Sequence, residues 1–228
     1  DPLSAPVWEW QVNGVQTSSL VDFSYKFVST DPIEIKLKAS LPGCSSEHVA
    51  QFASISEGPV VDFTFANGCV ESPVSFVNAS SGTFSSASWN FGNGQTSTEI
   101  NPQMTFNITG NYTVSLAINT AQGCSNSLNK TLTIYSKPQP DFSVGAPPLS
   151  CNGTVTTFTN STPNPVDSNI TGWLWDFNEP GSGSNASTDK NGQHTYATGG
   201  VYNVSLKATT NFGCSTSIVK PITIAQKP

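Results

Sequence analysis

The chain has 228 residues with 9 lysines, no arginine and 15 acidic side chains, a formal charge of −6, and charged residues make up only 11% of it. It lacks the basic footprint that a phosphate backbone demands, which argues against nucleic acid as a partner. No apolar run approaches the length of a membrane-spanning helix.

The first elements in chain order are β-strands. Trp10 sits in a short alternating segment that ends at Asn13-Gly14, and Ile33, Ile35, Leu37 and Ala39 alternate along a longer strand toward Gly43-Cys44. Further on, strands are expected at 61–66, 73–78 and 87–91, the last placing Trp89 and Phe91 on one face. Gly92-Asn93-Gly94 supplies the positive φ angles of a tight turn. A strand at 103–107 follows, then a long one in which Tyr112, Val114, Leu116 and Ile118 alternate with polar or small residues, then a last strand through Leu128, Leu132 and Ile134. The pattern returns once more, with Tyr202, Val204, Leu206 and Ala208 on the long strand. No segment reads as a helix.

These elements repeat. Trp10, Phe27 and Cys44 are followed by Trp89, Phe106 and Cys124, and then by Trp175, Tyr196 and Cys214. The cysteines lie 80 and 90 residues apart, the size of a small domain with its own core. Three domains are expected, at 1–56, 57–137 and 138–228. The second and third open on Asp62-Phe63 and Asp141-Phe142, well ahead of their tryptophans, whereas Trp10 has only nine residues before it. The first domain is therefore expected to lack its opening strands. Trp10, Trp89, Trp175, Phe106 and Tyr196 are the expected core anchors, each aromatic packing against its tryptophan.

Several residues carry a family resemblance. The run Ser88-Trp89-Asn90-Phe91-Gly92-Asn93-Gly94 with the later Gly110-Asn111-Tyr112-Thr113-Val114 resembles the PKD (polycystic kidney disease) domain. So do Trp175-Asp176-Phe177, His194-Thr195-Tyr196 and Gly200-Val201-Tyr202-Asn203-Val204. The resemblance implies an all-β chain of tandem immunoglobulin-like, PKD-type β-sandwiches, and the short proline-bearing linkers suggest an elongated, semi-rigid rod. It also implies a non-enzymatic extracellular or cell-surface role. Tandem copies with a Gly-Cys turn are similar to the large repetitive surface adhesins of gliding Bacteroidetes. Two other roles stand beside that one: a glycan- or protein-binding accessory module of a secreted hydrolase, and a calcium-rigidified linker. Expected partners are neighbouring repeats, a surface polysaccharide or another extracellular protein.

Five cysteines suit an oxidising compartment. Position in the repeat favours Cys69 with Cys124 and Cys151 with Cys214, leaving Cys44 without a partner. A simple immunoglobulin path, however, places those turns at opposite ends of a domain, so a cross-domain pair such as Cys69 with Cys214 stays open.

Catalytic chemistry has little support, since the two histidines stand apart and no nucleophile elbow or phosphate loop occurs. His194 occupies the place of Met104 and is read as a packed structural residue. Asp176 and Glu179 are weak candidates for calcium, too few for a hard cation; no cofactor is otherwise expected. Trp8 beside Trp10 and Trp173 beside Trp175 are expected to divide between faces, which would leave Trp8 and Trp173 outside as stacking platforms for sugar rings.

Overall fold

The computed structural model describes residues 5–27, 29, 31–52, 58–121, 123–145 and 150–228. The boundary expected at 56/57 falls outside them. Every regular element among the described residues is a β-strand. The chain divides into two compact units, Asp1–Gly58 and Pro59–Pro228.

In the first unit one antiparallel sheet runs in the order Val15–Ser18, Val7–Val12, Ile33–Leu41, Cys44–Phe52. Its register sets Trp8 opposite Ala39, Trp10 opposite Leu37 and Val12 opposite Ile35, so the apolar residues share one face. The other face carries Glu9 opposite Lys38 and the ion pair of Lys36 with Glu47 at 3.0 Å. Trp10 is half-buried. It stacks on Phe23 with ring centroids 5.5 Å apart, and donates its Nε1–H to Leu20 O at 3.0 Å. Phe27, the expected partner of Trp10, lies two rings further along an aromatic row through Phe23 and Tyr25.

The second unit holds two sandwiches. In the first, Thr96–Ser97, Ser86–Asn90, Gly110–Asn119, Ser125–Tyr135 and Gly68–Cys69 form one sheet in that order. Two short pairs, Gln103–Thr105 with Pro73–Ser75 and Phe63–Thr64 with Val77–Asn78, complete the strand set. The second sandwich repeats the main sheet as Ser150–Cys151, Ser215–Ala225, Gly200–Thr210, Ile170–Asp176, Ala186–Ser187. Its smaller sheet is Phe142–Val144, Val155–Asn160, Gly192–Thr195.

Alternation explains each core. Ala87, Trp89 and Phe91 are buried while Ser88 and Asn90 between them are exposed, as a two-residue period dictates. Trp89 meets Phe63, Phe76 and Phe91, and Trp175 meets Phe142, Phe158 and Phe177, all at centroid distances between 5.1 and 6.3 Å. Each Nε1–H finds a carbonyl, that of Glu99 or Asp189, at 2.9 and 3.0 Å. The later aromatics are buried too, but they pack on other rings: Phe106 lies 4.6 Å from Tyr112, and Tyr196 lies 4.1 Å from Tyr202 and 4.5 Å from His194. Both tyrosines donate their hydroxyl to the carbonyl four residues earlier, Ile108 O at 2.8 Å and Thr198 O at 2.9 Å, the corner familiar in immunoglobulin-like folds. At Gly92, φ is 73° and a Cβ would meet Thr113 O at 2.7 Å, so the turn after Trp89 requires glycine.

The division of the paired tryptophans between faces is corrected. Residues two apart on a strand point the same way. Trp173 therefore packs beside Trp175 on the same core, and the outward residue is Leu174, 47% exposed. Ala87 fills the corresponding inward place in the preceding sandwich, and Trp8 shares the apolar face of Trp10.

Candidate functional site: the junction between the two sandwiches

The cysteines are placed by two short strands that carry little sequence signal. Gly68–Cys69 pairs in parallel with the end of Ser125–Tyr135, setting Cys69 opposite Tyr135. Ser150–Cys151 does the same beside Ser215–Ala225, setting Cys151 opposite Ala225. Cys124 and Cys214 sit at the far ends of those same 11-residue strands. At about 3.3 Å per residue the two cysteines of one domain are roughly 35 Å apart, whereas a disulfide needs its Cα atoms within about 7 Å. The expected pairs Cys69 with Cys124 and Cys151 with Cys214 are thus not made. The bond that forms is Cys69 to Cys214, across the domain boundary, with Cα atoms 5.6 Å apart. Cys44, Cys124 and Cys151 carry free thiols.

Around this bond the junction is tightly built. Tyr135, the last residue of its strand, stacks on Phe212 of the next domain with ring centroids 3.7 Å apart and planes 6° from parallel. Asp167 Oδ2 accepts from both the N–H and the hydroxyl of Ser136, at 2.8 and 2.9 Å. Pro138 and Pro140 of the linker are buried, and their fixed φ angles leave the connection few alternatives. Tyr135, Ser136, Asp167 and Phe212 were not singled out in the sequence. Phe212 occupies a turn position that is Pro42 in the first repeat, so no repeated signal marks it.

A second missed feature does repeat. Lys130 lies six residues after Cys124, and Lys220 six after Cys214. Lys130 Nζ donates to Asp62 Oδ1 at 2.7 Å and to Phe63 O, and rests 5.1 Å from the Phe63 ring centre. Lys220 clamps Asp141 and Phe142 O at 2.6 Å each, again 5.1 Å from the ring. Each lysine pins the opening Asp-Phe strand to the last strand. The corresponding residue in the first repeat is Ala50, so the lysine itself is not repeated there.

The Lys130 ammonium, hydrogen-bonded to Asp62 and helped by the Phe63 N–H, holds that carboxyl below its ordinary value. Lys220 does the same for Asp141, against an opposing contribution from desolvation. A carboxylate whose folded value is depressed contributes stability that is present above its unfolded value near pH 4 and is lost as pH falls through the folded one. Asp141→Asn will therefore lower the urea midpoint at pH 7, and the gap to the parent chain will narrow at pH 3. A gap of equal size at both pH values would show that the clamp's charge does not matter.

The remaining candidates are engaged in structure. Glu179 Oε2 lies 2.8 Å from His194 Nε2, and Glu179 Oε1 accepts the Ala197 N–H at 2.8 Å. His194 is buried, stacked on Phe177 at 4.8 Å, with Nδ1 3.0 Å from Ser184 O. Burial, reinforced by the Glu179 charge, pushes the Tyr196 phenol well above its usual value, and its hydroxyl donates to Phe177 O at 3.2 Å. Asp176 Oδ1 accepts from Asn178 N and Asn185 Nδ2, at 2.8 and 3.1 Å. Among the described residues no group of three or more Cys, His, Asp or Glu side chains converges as a metal site.

Fold and junction together define a tandem array of immunoglobulin-like sandwich modules. The chain belongs to the PKD domain family, whose model matches residues 56–135 and again 136–225. Among solved structures it is similar to the PKD1 domain of the Vibrio cholerae metalloprotease PrtV, with 33% identity over 34% of this chain and 98% of that one, at a TM-score of 0.32. It is also similar to the PKD1 domain of Vibrio anguillarum Epp, with 18% identity over 41% of this chain and 99% of that one, TM-score 0.34. The fibronectin(III)-like modules of Clostridium thermocellum CbhA align at 11% identity over 72% of this chain and 95% of theirs, TM-score 0.42. PKD domains are generally non-catalytic modules of extracellular proteins, and an interdomain disulfide fits an oxidising compartment.

Proposed function

We propose that the chain is a non-enzymatic stalk segment of a cell-surface adhesin, in which stiffly coupled PKD repeats hold an adhesive region away from the cell and transmit tension to it. Residues 1–56 act as a further repeat of the same array, and the partner at its tip is a surface polysaccharide or another extracellular protein. One observation carries this reading: the Cys69–Cys214 bond crosses the boundary between two domains that each already have a complete core. Neither core includes the bonded cysteines. Its effect is to fix one module on the next, which is what a spacer under load requires.

Pulling single molecules by their two ends tests the idea. Tension entering at Cys69 leaves at Cys214, so the intervening chain, a sequence separation of 145, stays out of the force path. The reduced molecule will reach a contour length roughly 500 Å greater, at about 3.5 Å per residue. Equal lengths and equal unfolding forces with and without reductant would remove the stalk reading.

A further inference from the structure

Two of the free thiols sit in the same backbone settings as the two bonded ones. Cys151 reproduces the setting of Cys69. Val70 N–H donates to Tyr135 O at 2.9 Å, and Asn152 N–H to Ala225 O at 3.0 Å. The next residue adopts a left-handed φ in both, 57° at Glu71 and 76° at Gly153, and donates to Phe106 O or Tyr196 O at 2.8 Å. Ser72 and Thr154 then close the turn on the cysteine carbonyl, at 3.1 and 3.2 Å. Cys124 in turn reproduces Cys214. Their N–H groups donate to Thr120 Oγ1 and Thr210 Oγ1 at 3.1 and 3.2 Å, and their carbonyls accept from the same threonines at 2.9 and 2.8 Å.

Each sandwich therefore presents an outgoing cysteine, beside the end of its last strand, and an incoming one, in the turn before that strand. The bond in hand joins outgoing Cys69 to incoming Cys214. We propose that Cys151 is a second outgoing half-site, which forms a disulfide of the same type with the Gly-Cys turn of a PKD repeat joined in tandem after it. Cys124 is by the same rule an incoming half-site. The geometry of a disulfide is demanding, and a thiol held by three matching backbone hydrogen bonds is already presented as Cys69 is. In the reaction each thiol gives up its proton, the two electrons reduce one molecule of a small disulfide such as oxidised glutathione to two thiols, and the sulfur–sulfur bond closes. The pairing rule stands on the geometry of these turns, independently of whether the array serves as a stalk.

The test lengthens the full chain by a second copy of residues 139–228, with serine in place of that copy's own Cys151, placed after Pro228. This repeats the natural join, because Lys227-Pro228 followed by Gln139 restores Lys137-Pro138-Gln139. The chain is folded in a glutathione redox buffer, alkylated, digested and mapped by mass spectrometry, with Cys151→Ser as control. The expected result is a peptide joining Cys151 to the copied Cys214, and loss of alkylation at Cys151 relative to the parent chain. A Cys151 that stays alkylated or carries glutathione while Cys69–Cys214 is intact overturns the proposal. So does absence of the Cys69–Cys214 bond itself, since that bond is the template.

Discussion

Cys69→Ser will uncouple the two sandwiches without unfolding either. The disulfide closes a loop spanning a sequence separation of 145, and chain-entropy arithmetic assigns such a loop about 5 kcal/mol of constraint on the unfolded chain. That constraint is shared, because the loop contains most of both domains. Each domain nevertheless keeps its own core, one around Trp89 and one around Trp175. Calorimetry of the parent chain should show the two domains melting at higher temperature and closer together than in the variant, where two separate transitions appear. Cys214→Ser should behave as Cys69→Ser does, whereas Cys124→Ser and Cys151→Ser should leave the profile nearly unchanged. A loss from Cys124→Ser equal to that from Cys69→Ser would speak for pairing within the domain. The Tyr135–Phe212 stack and the Ser136–Asp167 bonds remain in the variant, so the junction loosens and does not come apart.

Trp175→Ala is the second large effect. The side chain is fully buried among Phe142, Phe158 and Phe177, and truncating such a residue costs about 3–5 kcal/mol in cavity and transfer energy. The Asp189 carbonyl also loses its donor, a further loss of about 1–3 kcal/mol if it stays buried. Domains of this size have about 5–15 kcal/mol in all, so the 138–228 sandwich will be unfolded or nearly so at 37 °C. Trp175→Phe separates the two contributions, keeping most of the packing while leaving the carbonyl without its partner. Trp173→Ala should cost clearly less, because Trp173 lies at the margin of the same core. Amide exchange read domain by domain checks all three. Loss of protection in 59–137 alongside 138–228 would show that the two cores are not independent.

Strands and cores were legible because they rest on alternation sustained over many residues: Tyr112, Val114, Leu116 and Ile118 mark their strand by period alone. The repeat made them doubly so. The junction was not legible, for definite reasons. Gly68–Cys69 and Ser150–Cys151 are two residues long, too short for any period, yet their parallel pairing decides which end of the domain each cysteine occupies. Proximity in the sequence motif suggested Cys69 with Cys124; an extended 11-residue strand between them forbids it. The lysine clamp, by contrast, was available in the sequence. Lys130 and Lys220 recur with Asp62-Phe63 and Asp141-Phe142 at the same distance from the Gly-Cys turn. The expected outward position of Trp173 failed on strand parity itself, which the sequence contained.

The tryptophan Nε1–H bonds mark where this architecture can change. In the first two repeats the ring reaches the carbonyl ten residues on, Leu20 from Trp10 and Glu99 from Trp89; in the third it reaches Asp189, fourteen residues on from Trp175. The ends of the loop stay fastened while its length varies. Four extra residues entered there without disturbing the strands on either side, and the enlarged loop carries Glu179, which meets His194 where the preceding sandwich has only Met104. A module built this way is a chassis with a replaceable panel, able to acquire new chemistry in one repeat while its neighbours keep the inherited surface.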